Sequence, residues 1–107
     1  MAEINASIMN TVNKFLNQLK RKGIQVEAAY LFGSYAKGKG KEWSDIDVAV
    51  ISSTISDDRL EERIRFTIIS SDIDSRLEPV PFRPDNFVDE DPLLWEIKKE
   101  GIRIPTE

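Results

Sequence analysis

Two aspartates separated by one residue, Asp45 and Asp47, are the side chains whose types and spacing are best suited to chemistry in this sequence of 107 residues. They begin the apolar, β-branched run Asp-Ile-Asp-Val-Ala-Val-Ile, which is typical of a buried strand. Successive side chains of a strand point to opposite faces, so we expect both carboxylates on one face at the strand's start. Two adjacent carboxylates repel each other unless a cation lies between them. Magnesium prefers such oxygen ligands and commonly adds phosphate oxygens, so the pair predicts a magnesium site beside a bound phosphate.

A glycine and a serine upstream of the aspartates supply candidate phosphate ligands. Gly33 ends a short apolar run and lets the backbone come close to a ligand, and the hydroxyl of Ser34 is suited to a phosphate oxygen. The glycine-rich segment that follows carries Lys37, Lys39 and Lys41, any of which could neutralise further phosphate charge. We therefore expect the phosphate site and the metal site to be adjacent.

The elements that must position these residues follow from hydrophobic periodicity and from helix and turn signals. Helices are predicted over residues 3–22 and 57–70 and from Asp91 to Gly101, and the apolar residues of the second helix are expected on one face. Strands are predicted over residues 26–32, 45–51 and 73–80, with a loop over 33–44 and a last short strand around residues 102–104. This order predicts a small β-sheet covered by helices, of the α/β (α+β) class, in one domain spanning residues 1–107. The apolar face of the second helix comprises Leu60, Ile64, Thr67 and Ile68.

The composition excludes several kinds of catalytic site. Cysteine and histidine are both absent, which rules out disulfides, thiolate nucleophiles, imidazole bases and zinc sites built on either residue. Catalysis must then use carboxylates, hydroxyls, lysine, arginine and hard cations. The formal net charge of -4 makes a nucleic-acid partner unfavourable. The N-terminus resembles no secretory signal and no apolar run reaches the roughly 18 residues of a membrane span, so we expect a cytoplasmic protein without a membrane partner.

The pattern Gly-Ser-Tyr-Ala-Lys-Gly at residues 33–38, followed by Ser-Asp-Ile-Asp-Val at 44–48, resembles the signature of the DNA polymerase beta nucleotidyltransferase superfamily. The small size is similar to that of the minimal nucleotidyltransferases (MNT proteins). The resemblance implies a small mixed sheet, a nucleoside triphosphate bound through Gly33, Ser34 and Lys37, and Mg²⁺, as two ions, on Asp45, Asp47 and a third carboxylate from the next strand.

Two residues are candidates for that third carboxylate. A period of two along the predicted third strand places Asp72, Asp74, Arg76 and Glu78 on one face. Comparison with the family pattern favours Glu78, with Asp74 as the alternative. In a two-metal mechanism this carboxylate would help to deprotonate a hydroxyl that attacks the α-phosphorus, and pyrophosphate would leave.

Minimal members of this group are commonly paired with a helical HEPN-domain protein and together resemble a toxin and its antitoxin. The resemblance therefore implies transfer of AMP from ATP to a hydroxyl of the HEPN-domain protein, with this chain as antitoxin. Two alternatives stay open: a binding module that neutralises its partner by contact alone, and an enzyme that adds nucleotides to RNA ends. A homo-oligomer is also possible.

The aromatic residues near the motif have a simpler interpretation than base stacking. Tyr30, Phe32, Tyr35 and Trp43 are expected to pack against the core rather than to hold a nucleobase. Trp95 falls off the main apolar stripe of the last helix, so we expect it to be partly exposed and available to a partner.

Overall fold

A four-stranded sheet with helices on both faces forms the fold in the computed structural model, which describes residues 5–41, 43–86 and 91–106. The predicted mixed sheet flanked by helices is confirmed. No helix in these ranges is long and apolar enough to cross a membrane. The elements in chain order are α1 (Ala6–Arg21), β1 (Ala28–Phe32), β2 (Ile46–Ile51), α2 (Arg59–Ser71), β3 (Leu77–Phe82), a short 3-10 helix (Pro84–Asn86), α3 (Pro92–Glu100) and β4 (Ile102–Ile104).

The sheet is mixed because it contains both parallel and antiparallel pairs of neighbouring strands. The spatial order is β3-β2-β1-β4. β1 runs antiparallel to both β2 and β4, whereas β2 and β3 are parallel and are connected through α2. As a result, the end of β1 and the starts of β2 and β3 lie at the same end of the sheet, which is where the sequence places its glycine-serine pair and its aspartates.

Both faces of the sheet are covered by apolar side chains. On one face, α1 and α2 pack against β2, and Phe15 of α1 meets Phe66 of α2 edge to face at 6.3 Å. On the other face, Leu94 and Ile97 of α3 pack against Phe32 of β1 and its neighbours. The helix α3 is therefore fixed to the face of the sheet on which the Phe32 side chain lies.

The first helix begins and ends close to its predicted bounds. Asn5 caps it by accepting a hydrogen bond from the amide of Ser7 at 2.7 Å. It ends before Gly23, whose φ of 84° is the left-handed conformation that glycine adopts without strain. The first two residues of the predicted helix lie outside the described residues. The buried stripe of α1 comprises Ile8, Val12, Phe15, Leu16 and Leu19.

The second helix buries a different face from the one that its aliphatic spacing indicates. Leu60, Ile64 and Ile68 do lie on one face, but they are 72%, 53% and 62% exposed. Phe66 is fully buried on the opposite side, together with the carboxylate of Glu62, which accepts from the amide of Ser56 at 2.9 Å. The start is as expected, since Asp58 accepts from the amide of Glu61 at 3.0 Å.

The predicted third strand, residues 73–80, is wrong in its bounds. The strand begins only at Leu77 and continues to Phe82. Residues 72–76 form a turn instead, because the amides of Ile73 and Asp74 both donate to the carbonyl of Ser70. Asp72, Asp74, Arg76 and Glu78 thus do not share one strand face.

Two prolines lie inside β3, and the direction of its hydrogen bonds explains why they are tolerated. The carbonyls of Arg76 and Phe82 accept from β2, so the backbone groups at residues 76, 78, 80 and 82 face β2. The nitrogens of Pro79 and Pro81 therefore face away from the sheet, on a side where the described residues form no further strand that would need a donor. β3 accordingly occupies an edge.

Candidate functional site

The predicted site residues meet at one end of the sheet. Asp47 of β2 lies opposite Phe32 of β1 on one side and opposite Glu78 of β3 on the other. Gly33 follows Phe32 directly, and Asp45 precedes the first residue of β2. Because residues opposite each other in a sheet point to the same face, the Asp47 and Glu78 side chains share a face. The sheet thus brings together residues from three separate parts of the chain.

Gly33 lies directly against the Asp47 carboxylate. Its φ is 75°, in the left-handed region that side-chain-bearing residues rarely adopt. A Cβ built on Gly33 would lie 2.2 Å from Asp47 Oδ2 and 3.1 Å from its Cγ. No side chain fits there unless the carboxylate moves. The close approach of backbone and carboxylate explains why a glycine occupies this position.

The segment after Gly33 forms a series of turns that leaves Ser34 exposed. The amide of Lys37 donates to the carbonyl of Gly33 at 3.2 Å, and that of Lys39 donates to the carbonyl of Ser34 at 2.9 Å. Further along, the Tyr35 hydroxyl hydrogen-bonds to the carbonyl of Lys41. These bonds fold the loop back on itself directly after Gly33, and they leave Ser34 and Lys37 exposed.

Negative charge is concentrated around Asp47. Burial, and then the charges of Asp45, Glu78 and Glu96, raise its pKa from 3.8 to about 6, while Arg63 acts in the opposite direction. An acid whose pKa is raised by burial and by neighbouring carboxylates gains from a bound cation, because the cation offsets the repulsion. The electrostatics of this end of the sheet therefore suit a divalent metal.

The structure does not, however, preform a complete set of acidic metal ligands. In the ranges that it describes, no three acidic side chains stand together as a ready-made metal site. A cation here would rely on phosphate oxygens as well as on Asp45 and Asp47, as magnesium commonly does. The carboxylates and the triphosphate would then together supply the ligands of the cation.

Asp74, the alternative third carboxylate, has another partner. Both of its oxygens bind the guanidinium of Arg76, at 3.1 and 2.8 Å, and it also accepts from the Arg76 amide. Hydrogen bonding to Arg76 lowers the pKa of Asp74. Glu78, by contrast, is exposed and directly opposite Asp47. The geometry favours Glu78 as the third carboxylate.

Glu96 is the acidic residue of this site that sequence reasoning missed. It lies on α3, about fifty residues after the aspartates, and its carboxylate is 3.6 Å from the ammonium of Lys37. Nothing in the local sequence marks it as functional. The available signal was its spacing of three from Leu93, which packs against the core and so turns this side of α3 toward the sheet.

The aromatic residues divide between core and surface. Phe32 is buried, and Tyr30 and Tyr35 pack against the two core clusters, as predicted. The expectation that Trp43 packs is wrong, because its side chain is 76% exposed, with the ammonium of Lys41 5.8 Å from its ring. Trp43 thus belongs to the surface and not to the core. Trp95, 54% exposed, agrees with its prediction.

The sequence is similar to known proteins over most of its length. Residues 10–106 match the family model described as Polymerase beta, Nucleotidyltransferase. The Methanocaldococcus jannaschii protein named "Putative protein adenylyltransferase MJ1305" is 38% identical over 53 residues, which are 49% of this chain and 36% of that protein. The chain thus matches only about a third of that relative's length.

Solved structures show the same fold. A mutant of the toxin-antitoxin MntA-HpeT has a TM-score of 0.63 at 25% identity, over 89% of this chain and 73% of the other. A toxin-antitoxin with AMP-PNP gives 0.63 and 25%, over 92% and 73%. A Sulfolobus solfataricus protein shares the fold at 0.63 and 17% identity, over 91% and 78%. Since the family model spans nearly the whole sequence, and the glycine-serine loop and the paired aspartates meet at one end of the sheet, the chain belongs to the polymerase beta nucleotidyltransferase family.

Proposed function

We propose that this chain transfers AMP from ATP to a hydroxyl group of a partner protein. The observation that carries the proposal is the contact between Gly33 and the Asp47 carboxylate, with Asp45 and Glu78 beside it. This arrangement supports a phosphate site on the Gly33 loop that adjoins a metal site on the aspartates. The adenylyltransferase name of the M. jannaschii relative and the AMP-PNP in a structural neighbour support adenylyl transfer in particular.

Magnesium fits the donor set of this site. Asp45 and Asp47 would hold it, with Glu78 as the third carboxylate and, in the mechanism that the resemblance implies, two ions in all. Bound magnesium would supply positive charge that offsets the repulsion among the carboxylates and the charge of the triphosphate. The raised pKa of Asp47, caused by burial and then by neighbouring carboxylates, is the observation that supports a cation here.

The other residues would orient the triphosphate and accept a proton. The Ser34 hydroxyl would donate to a phosphate oxygen and the Lys37 ammonium would neutralise phosphate charge. The acceptor oxygen forms a bond to the α-phosphorus, the bond from the α-phosphorus to the oxygen of the β-phosphate breaks, and pyrophosphate leaves with that electron pair. The hydroxyl proton passes to a carboxylate, for which Glu78 is the candidate, because the chain contains no histidine.

The proposed acceptor is a tyrosine of a helical HEPN-domain toxin, which this chain would silence as an antitoxin in the cytoplasm. Support comes from the structural neighbours, which are toxin-antitoxin proteins. The net charge of -4 supports a protein acceptor over RNA, because RNA binding depends on neutralising phosphates with basic residues.

The proposal is tested by following label from α-labelled ATP, with magnesium, onto a co-expressed candidate partner. Wild type is compared with Asp45→Asn/Asp47→Asn and with Asp72→Asn, an exposed acid in the turn after α2 that serves as a matched control. We expect label on the partner with wild type and the control, and none with the double variant. Label on RNA instead would support addition of nucleotides to RNA ends.

A second function, neutralisation of the partner by contact alone, is favoured by one observation. The part of the chain that the structure describes contains no preformed group of three acidic metal ligands. In that case the partner would be inhibited equally by wild type and by Asp45→Asn/Asp47→Asn, and no label would move. Measuring the activity of the partner in the same samples, a ribonuclease activity by resemblance to HEPN-domain proteins, separates the two functions.

A further inference from the structure

A contact between Lys37 and Glu96 joins the loop after β1 to α3. The ammonium and the carboxylate are 3.6 Å apart, and both side chains are more than a third exposed. Lys37 belongs to the loop that begins at Gly33, whereas Glu96 is carried by α3, which Leu94 and Ile97 fix to the sheet. The contact therefore ties a loop to a helix whose position the core determines.

The charge of Glu96 is unfavourable to a bound triphosphate. Its carboxylate lies near enough to Asp47 to act on it electrostatically, along with Asp45 and Glu78. A nucleotide in the proposed site would add more negative charge to this group. The Lys37 ammonium that would bind a phosphate is already paired with Glu96. The Glu96 carboxylate and a phosphate of the nucleotide would therefore compete for the Lys37 ammonium.

We propose that Glu96 is a positioning residue, which holds the Lys37 ammonium beside the proposed nucleotide site and competes with the nucleotide's phosphates for it. This inference rests on the proposed function. Competition of this kind weakens binding of metal-free ATP most, because free ATP carries the greatest negative charge. It weakens binding of magnesium-ATP less, since the metal already offsets part of that charge. Glu96 thereby favours the metal-bound nucleotide, the form that can react.

The test is a double-mutant cycle on ATP binding, measured by isothermal titration calorimetry without acceptor protein, once with EDTA and once with magnesium. The variants are Glu96→Gln, Lys37→Ala and the pair combined. Glu100→Gln, an exposed acid one turn further along α3, is the matched control. Urea unfolding of each variant confirms that it folds.

We expect Glu96→Gln to bind metal-free ATP up to about fivefold more tightly than wild type, which is the range of an exposed ion pair. The gain should be smaller with magnesium and absent in Glu100→Gln. It should also be smaller when Lys37 is replaced as well, because only the direct repulsion between Glu96 and the triphosphate then remains. With an acceptor present, KM for ATP should fall in magnesium while kcat does not rise.

Three results would overturn the inference while leaving the proposed function standing. Glu96→Gln could bind ATP no better than Glu100→Gln, it could bind ATP more weakly, or its gain could be undiminished in the Lys37→Ala background. If wild type itself binds ATP neither with EDTA nor with magnesium, the proposed function is overturned and this inference with it.

Discussion

Replacing Gly33 by alanine is the substitution for which the structure makes the sharpest prediction. Two penalties act at this position. The backbone has a φ of 75°, which costs a residue with a Cβ about 1–2 kcal/mol. The new Cβ would also lie 2.2 Å from Asp47 Oδ2, so the carboxylate must rotate away. A side chain forced off its preferred rotamer costs about 0.5–1.5 kcal/mol more.

Gly23 provides a matched control. Its φ is 84°, so alanine there meets the same backbone penalty, but a Cβ at Gly23 would have no heavy atom within 4 Å. The free energy of unfolding should fall by about 1–2 kcal/mol in Gly23→Ala. In Gly33→Ala it should fall by about 0.5–1.5 kcal/mol more. A loss of 1 kcal/mol corresponds to a decrease in Tm of about 4–8 °C for a domain of this size.

Urea unfolding measures the two stabilities, and the transfer of label from α-labelled ATP measures the proposed activity. Gly33→Ala should lower transfer by about 100-fold, because the carboxylate proposed to bind the metal is displaced, while Gly23→Ala keeps the activity. In an Asp47→Ala background the atoms that clash are gone, so Gly33→Ala should cost no more stability than Gly23→Ala. Equal stability losses in the wild-type background would refute the reasoning.

Three further predictions concern stability and are read from urea midpoints. Burial and neighbouring carboxylates raise the pKa of Asp47 from 3.8 to about 6, so the folded metal-free protein binds an extra proton between these values and loses stability as pH rises through them. Asp47→Asn should remove that part of the pH dependence, and an unchanged profile between pH 4 and 7 would contradict it. On α2, Phe66→Ala should lower the free energy of unfolding by about 3–5 kcal/mol, because Phe66 is buried. Ile64→Lys should lower it by less than about 0.5 kcal/mol, because Ile64 is exposed. Equal losses in the two variants would contradict this assignment of the buried face. Glu62→Ala should cost about 1–3 kcal/mol, since it leaves the amide of Ser56 without its partner, and a neutral effect would argue against that hydrogen bond.

The core of the candidate site could be predicted because it is encoded locally. The glycine-serine pair and the aspartates lie within one short stretch, and the period of two along β2 is enough to place Asp47 on a definite face. The register of β3 against β2 then brings Glu78 opposite Asp47. Glu96 could not be predicted in this way, because its position depends on how α3 packs against the sheet.

The errors in the predicted elements have physical causes as well. The helix α2 carries aliphatic residues on one side and Phe66 and Ile69 on the other, and periodicity alone does not say which side the core selects. A buried carboxylate, Glu62, obscures the true core face, and it is tolerated only because the Ser56 amide and Arg65 bind it. In the turn before β3, polar and apolar residues alternate as they would in a strand. The amides of Ile73 and Asp74 nevertheless donate to the carbonyl of Ser70 at the end of α2, which makes the segment a turn.

The prolines of β3 also restrict how this protein can meet another chain. Along the outer rim of that strand, Pro79 and Pro81 have no N–H, and the amide of Leu77 is already bonded to the carbonyl of Asp74. An incoming strand would find acceptors but no donors there, so β-augmentation at this rim is blocked. The protein is thereby protected from open-ended strand addition at this edge, and a partner that approaches it meets only carbonyl oxygens and side chains.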